Sequence, residues 1–122
     1  MKLIYLASPY LYRGYMEGIT EYGKQLIHEQ RYQDAIDATA KLMNKGFAVY
    51  SPIVATHPIA VKHKLPLGSE YWMQFDEVIL KRCTELYVLT IDGWEESPGV
   101  LREIDIAKQI GLEVTYVDID KL

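Results

Sequence analysis

The chain has 122 residues, the length of a single domain with a sizeable core, and its 49% apolar and 25% charged content is typical of globular proteins. Its net charge of −4 and the lack of a basic tract argue against nucleic acid as a partner. No apolar run approaches about 20 residues, so we expect no membrane span. The single Cys83 predicts no internal disulfide and indicates a reducing cytoplasm, where we expect an inert core thiol.

The first predicted elements are a buried strand and a long loop. Residues 2–7 (KLIYLA) form an apolar run that ends at a Ser-Pro pair and is too short for a signal peptide, so they predict a strand. Residues 11–28 contain three tyrosines and three glycines and predict a long loop, with a single helical turn inside it as the alternative. Tyr12 and Tyr15 could form an aromatic lid there, although a solvated loop is the simpler interpretation.

The next segment predicts a helix, a short strand and a second loop. Residues 29–45 form the helix, closed by Gly46, and "FAVYSP" follows as the second strand. The helix takes its apolar face from Tyr32, Ala35, Ile36, Thr39, Ala40 and Met43. Residues 54–68 contain prolines and histidines and predict a loop. His28 and His63 are interpreted as surface residues.

Two helices and two strands complete the chain. Residues 69–83 predict a helix with Ser69 as its N-cap, followed by the strand "LYVLTID". Ser97 and the proline after it predict an N-cap and first helical position, and this helix ends near Ile110. The last strand is "EVTYVDI".

Strands that alternate with helices predict an α/β fold with parallel pairing and right-handed crossovers. We expect a single-domain, open parallel sheet of four to five strands with helices on both faces, wound as in flavodoxin. Ligands of such sheets bind beyond the carboxyl ends of the strands. That edge is predicted to hold Ser8-Pro9-Tyr10, Ser51-Pro52, Asp92-Gly93-Trp94 and Ser97.

One carboxylate lies on the apolar face of the last predicted helix. At about 100° per residue, Glu103 falls among the apolar positions, while Arg102 and Asp105 fall on the opposite face. The apolar positions are Val100, Ile104, Ala107, Ile110 and Gly111. A buried carboxylate is costly unless it is neutralised, paired or hydrogen-bonded, so Glu103 is a candidate for function or for a structural ion pair.

The preceding helix repeats the pattern with Asp76. This residue falls at the centre of a stripe formed by Trp72, Phe75, Ile79, Leu80 and Cys83. The two helices flank one strand, whose end adds Asp92. We interpret the three acids as a catalytic cluster, with structural caps or ion pairs as the alternative.

The chemistry that fits three acids near a helix N-terminus is glycosyl transfer. No histidine has a ligand-like spacing to these acids, so we expect no metal, and no cofactor is indicated. A carboxylate can attack an anomeric carbon and a second can handle the proton of the leaving group. The helix start at Ser97, with Gly99 in its first turn, offers free N–H groups for a phosphate or sugar oxygen.

These residues carry a resemblance to a known family. The segments "YLASPY" and "D-G-…-G-x3-E-x3-A", within "LASPY…G…VYSPI…HPI…D…DGWEESPGVLRE", resemble the nucleoside 2-deoxyribosyltransferase superfamily, in an uncharacterised bacterial and phage branch. The resemblance implies an enzyme that cleaves or exchanges the N-glycosidic bond of a nucleoside or nucleotide. It also implies a homodimer or larger assembly, because sites in that superfamily are completed by a neighbouring subunit.

The resemblance assigns a role to each acid. It implies that Glu103 is the nucleophile, that Asp76 positions the nucleobase and sugar, and that Asp92 takes part in base protonation. Tyr10 matches an aromatic residue that approaches the glutamate. Ser97 matches a serine that binds the 5′-phosphate in the related deoxynucleoside-monophosphate N-hydrolases.

Three other residues of the predicted binding edge have two interpretations each. His57 could bind substrate or be an ordinary loop histidine. Trp94 could stack on a base or cover the core. Ser8 could hydrogen-bond the substrate or merely end its strand.

The function therefore has alternatives. The chain has Asp105 where the transferases have a glycine, and no asparagine follows Asn44, so transfer to a second base is one outcome among several. A 2′-deoxynucleoside 5′-monophosphate N-hydrolase, a non-catalytic nucleotide-binding protein and an interaction module are the others.

Overall fold

A computed structural model describes residues 1–12 and 18–122 as an α/β fold built on four parallel strands. The strands are β1 (Leu3–Ala7), β2 (Ala48–Tyr50), β3 (Glu85–Leu89) and β4 (Glu113–Val117), in the order β2-β1-β3-β4. The helices are α1 (Glu21–Asn44), α2 (Pro52–His63), α3 (Ser69–Leu80) and α4 (Pro98–Ile110). The order and the parallel pairing confirm the flavodoxin-like open sheet expected from the sequence.

The sheet is covered on both faces, which explains the continuously apolar strands. Alternate strand residues point to opposite faces, so Tyr5 packs in one core with α3 and α4, while Leu6 packs in another with α1. The first core contains Leu80 and Val100, and both are almost fully buried.

Serine caps begin two of the helices next to the binding edge. Ser51 Oγ accepts the N–H of Val54 at 3.2 Å, and Ser97 Oγ accepts the N–H of Val100 at 3.3 Å. Each serine precedes a proline at the first helical position, which has no N–H to leave unsatisfied. The predicted Ser97 cap is confirmed.

The first long helix begins eight residues earlier than predicted, at Glu21 rather than residue 29. Thr20 Oγ1 caps it by accepting the Gly23 N–H at 3.0 Å, so the glycine that suggested a loop lies in the first turn. The predicted apolar face was partly wrong, because Met43 is 52% exposed and Ala40 is exposed. The buried residues are His28, Ala35, Ala38, Thr39 and Leu42.

The predicted loop over 54–68 was wrong, because most of it is α2. Pro58 suggested a break, but Ser51 and Pro52 start a helix that continues through it to His63. The predicted cap of α3 was also wrong, because Gly68 occupies the N-cap position and Ser69 is the first helical residue.

Three predicted placements of side chains also need correction. Phe75, assigned to the buried stripe of α3, is 61% exposed, and Ile110 at the last turn of α4 is 42% exposed. His28, assigned to the surface, is buried and its Nε2 accepts the N–H of Tyr12 at 3.0 Å. His63 is exposed. The predicted lid residue Tyr15 lies outside the described residues.

The helices give no membrane-spanning segment. Across residues 1–12 and 18–122, none is both long and apolar enough to cross a bilayer.

Candidate active site

A cleft opens at the carboxyl edge of the sheet, between the end of β1 and the helices α2, α3 and α4. It encloses about 840 Å³ of space, including its open mouth. Apolar side chains form much of its wall, among them Ile53, Leu67, Trp72, Met73 and Ile106. A concave, mostly apolar cleft with a few polar groups is the usual form of a small-molecule site.

Glu103 and Asp76 meet in this cleft, as their helix positions predicted. Burial raises the pKa of Glu103 from 4.5 to about 8; the charge of Asp76 adds to the rise, while Tyr5 and Arg102 oppose it. Burial likewise raises the pKa of Asp76 from 3.8 to about 6. Each carboxyl has lost water without gaining a strong cationic partner. Near neutral pH the pair therefore holds a single proton between its two carboxyl groups.

Tyr5 is a third member of this acidic centre, and the sequence did not reveal it. The side chain is fully buried in β1, and burial together with the nearby Glu103 and Asp76 raises its pKa well above 10. Its hydroxyl is close enough to lower the pKa of Glu103, although the contact lacks the geometry of a normal hydrogen bond. A tyrosine inside an apolar strand is ordinarily a core residue, so the sequence gives no reason to place Tyr5 in the site. The one available signal is that a buried tyrosine hydroxyl needs a polar partner.

Polar atoms without partners surround the same centre. Among the described residues, Tyr5 Oη, Ser8 Oγ and Asp76 Oδ1 are buried and make no hydrogen bond within the protein. Buried polar groups are nearly always hydrogen-bonded, so these atoms call for an explanation. Ser8 and Asp76 line the cleft, where a polar ligand would supply their missing partners, whereas Tyr5 does not line it.

Tyr10 and His57 form another polar group on the cleft wall. The Tyr10 hydroxyl is hydrogen-bonded to His57 Nδ1, and His57 Nε2 is 3.0 Å from Glu29 Oε2. Tyr32 stacks on the imidazole at a ring-centre distance of 4.0 Å. His57 therefore lies on helix α2 in a defined contact network, rather than in the loop that the sequence suggested.

Arg102 lines the mouth of the cleft, although the helix pattern placed it on the solvent face. Its guanidinium is 39% exposed and lies 3.9 Å from Glu77, which also pairs with Lys81 at 3.1 Å. The long side chain reaches around the helix, so its direction cannot be deduced from the position of its Cα alone. The cation is thus shared between Glu77 and the cleft, where it lowers the pKa of Glu103.

The third predicted acid, Asp92, does not join the pair. It is exposed and lines a separate, adjoining depression together with Arg31 and Glu96. The guanidinium of Arg31 bonds the carbonyls of Leu11 at 3.1 Å and of Asp92 at 3.3 Å, and so links the ends of β1 and β3. Trp94 lines neither cavity, and its ring centre lies 5.4 Å from that of Tyr116. This placement agrees with a side chain that covers the core.

The start of helix α4 forms one end of the cleft. Ser97 and Gly99 both line it, and Ser97 also borders the adjoining depression. Ser97 Oγ already accepts the N–H of Val100, and its hydroxyl hydrogen remains available to donate to a ligand. Ser8, at the end of β1, lines the cleft as well.

Neither a metal cluster nor a reactive thiol is built into the described residues. Within 1–12 and 18–122, no three His, Cys, Asp or Glu side chains are grouped to hold a metal ion. Burial raises the pKa of Cys83 to about 11, and its thiol donates to the Ile79 carbonyl at 3.3 Å. Cys83 is therefore a core residue with an unreactive thiol.

Fold and cleft together define a Rossmann-like α/β protein with a partly buried acidic pair at the carboxyl edge of its sheet. More particularly, the chain belongs to the family described as "Domain of unknown function (DUF1937)", whose model matches residues 2–118. No curated protein matches the chain.

Proposed function

We propose that this protein is an enzyme that cleaves or exchanges the N-glycosidic bond of a nucleoside. The observation that carries the proposal is the partly buried pair of Glu103 and Asp76 in an apolar cleft, without a strong cationic partner. Such a pair costs stability, and pKa values displaced in this way are concentrated at catalytic sites.

The proton count of the pair matches the proposed reaction. As the C1′–N bond breaks, its electron pair leaves with the base, and the carboxyl proton of the pair passes to a base nitrogen. The Glu103 carboxylate then forms an ester bond to C1′. Water or a second base next attacks C1′, its proton passes to the second carboxylate of the pair, and the ester electrons return to Glu103, which restores the starting state. One proton and one carboxylate are needed, and the pair holds both near neutral pH.

Asp76 is the better candidate for the proton transfer to the base. Asp92 was expected to serve there, but it lies in the adjoining depression, whereas Asp76 shares the cleft and raises the pKa of Glu103. The Tyr5 hydroxyl, buried beside Glu103, is a further donor to the carboxylate that forms.

An uncharged nucleoside fits the cleft better than a 5′-monophosphate. Asp76, Glu77 and Glu103 all line it, and the cation of Arg102 is shared with Glu77. The start of α4 at Ser97 favours an anion, which keeps the monophosphate N-hydrolase as the alternative. Binding of one nucleoside and its 5′-monophosphate should be compared at low and moderate salt. A tighter monophosphate that weakens with salt would move the proposal to the N-hydrolase class.

Base release tests the proposal as a whole. The protein should be incubated with a panel of 2′-deoxynucleosides, ribonucleosides and monophosphates, with and without a free acceptor base. Exchange of base identifies a transferase, and release without exchange identifies a hydrolase. Binding without release or exchange would contradict catalysis and leave a nucleotide-binding protein.

A homodimer or larger assembly is also proposed, in a cytoplasmic setting that the lone buried thiol suits. Tyr71, Phe75 and Val78 form an exposed apolar stripe on α3, the helix whose other side lines the cleft. A monomeric mass at micromolar concentration would contradict the assembly.

A further inference from the structure

The contacts on the cleft wall give the polar chain one direction when Glu29 is ionised and His57 is neutral. Glu29 Oε2 lies 3.0 Å from His57 Nε2, and an ionised carboxylate can only accept, so Nε2 must carry a hydrogen. In a neutral imidazole the other nitrogen, Nδ1, is then an acceptor. The hydroxyl hydrogen of Tyr10 therefore points at Nδ1.

This direction decides what Tyr10 can offer to a ligand. Its single hydroxyl hydrogen is used by His57, so only oxygen lone pairs remain for the cleft that both side chains line. Burial, with smaller contributions from Glu29 and Tyr32, raises the pKa of Tyr10 to about 12, so the hydroxyl keeps its proton.

We infer that Tyr10 is an obligate hydrogen-bond acceptor that selects nucleosides carrying an N–H or O–H donor at that point of the cleft. His57 and Glu29 are positioning residues, because they act through the direction of the Tyr10 hydroxyl. The inference rests on the proposal that the cleft binds nucleosides. It adds to that proposal a rule about which nucleosides are accepted.

The surroundings of His57 support the direction of the chain. Tyr32 stacks on one face of the ring and Tyr10 meets it edge-on, with ring centres 4.0 and 5.4 Å apart. His57 is only 8% exposed, whereas the side chain of Glu29 is 53% exposed outside the cleft. The titratable groups that face the imidazole are Tyr10, Glu29, Tyr32 and His28.

The tautomer of His57 can be measured without any ligand. Long-range ¹H–¹⁵N NMR at pH 8, where imidazole is ordinarily neutral, should show hydrogen on Nε2 and none on Nδ1. Glu29→Gln keeps an acceptor and should keep this pattern, and Glu29→Ala should lose it. Asp37→Ala, at an exposed acid of the same helix, is the matched control. Hydrogen on Nδ1 in the wild type would overturn the inference.

Ligand selection is measured with nucleosides that differ by one donor. 2′-Deoxyadenosine should be compared with the analogue lacking its amino group and with 2′,3′-dideoxyadenosine, which lacks a sugar hydroxyl. Tyr10→Phe should lower the affinity for 2′-deoxyadenosine about five- to tenfold, the scale of one hydrogen bond. For one of the two analogues, the affinity of the variant should stay within about twofold of the wild type. The spared analogue shows whether Tyr10 meets the amino group or the hydroxyl.

The outcomes separate the inference from the proposed function. If Tyr10→Phe lowers the affinity for all three nucleosides equally, or for none, the acceptor role of Tyr10 is overturned, while the proposed catalytic function is unaffected. If no nucleoside binds, the proposed function fails, and phenol and anisole, which differ by one O–H donor, replace them as probes. Phenol should then bind better than anisole in the wild type and lose that preference in Tyr10→Phe. An unchanged preference would overturn the inference.

Discussion

Replacing Glu103 by glutamine should remove a pH-dependent cost that the folded protein carries. The pKa of Glu103 rises from 4.5 to about 8 on folding, so the folded state holds this proton over a range where the unfolded chain has lost it. The free energy of unfolding therefore falls as pH rises through this window. At 1.36 kcal/mol per pKa unit, the loss between pH 5 and pH 8 is about 3.5 kcal/mol as an upper limit, since the cleft opens to water.

Glutamine has the shape of the protonated acid and cannot ionise, so the variant should lack this loss. Urea unfolding at several pH values from 5 to 8 measures this loss. Relative to the wild type, the free energy of unfolding of the variant should rise by up to about 3.5 kcal/mol between pH 5 and pH 8. Asp76 titrates in both proteins, so the difference between them reports Glu103 together with its coupling to Asp76. Asp105→Asn, at an exposed acid of the same helix, is the control and should follow the wild type. Parallel pH profiles for Glu103→Gln and the wild type would refute the reasoning.

Further predictions concern catalysis and the support of the site. Glu103→Ala should lower base release by at least about a hundredfold while Asp105→Ala is nearly silent; a surviving rate above about a tenth would exclude a covalent nucleophile. The kcat/KM for base release should be bell-shaped, with limbs near pH 6 and 8 where the carboxyl pair gains or loses its proton; a flat profile across this range would contradict the shared-proton mechanism. Gly93→Ala should destabilise the fold by about 2 kcal/mol in urea unfolding, mainly because φ is +92°; the new Cβ would also lie 2.3 Å from Arg31 Nη2, at the end of a flexible side chain that can shift. Gly46→Ala, with φ of +95° and open space around it, isolates the backbone cost; equal losses for the two variants would mean that the Arg31 contact has no effect.

Much of the fold follows from local patterns that are clear in the sequence. Each strand is a short apolar run, and alternation of strands with helices restricts the topology to few choices. Helix α2 does not follow from the sequence pattern because an internal proline such as Pro58 is typical of a break, although the Ser51-Pro52 pair is a helix start signal and the helix continues through Pro58. Helix α1 was shortened because Gly23 lies in its first turn, where the Thr20 cap offsets the poor helix propensity of glycine.

The candidate site could be predicted only where helical periodicity places a charged residue on an apolar helix face. Glu103 and Asp76 are recognisable because a charge among apolar positions is costly. Tyr5 could not be recognised, since both faces of its strand are buried and an aromatic residue is ordinary there. The contact between Tyr10 and His57 joins residues 47 positions apart, so it depends on how the elements pack.

The most direct test of the central claim is to trap the sugar on the protein. The wild type should be mixed with a 2′-deoxynucleoside that it cleaves, quenched in acid, and analysed by intact mass and peptide mapping. We predict a mass increase of one deoxyribosyl group on the peptide that carries Glu103, absent from Glu103→Gln. A deoxyribosyl group on Asp76 or Asp92 instead, or base release in Glu103→Gln at the wild-type rate, would contradict the assignment of Glu103 as the nucleophile.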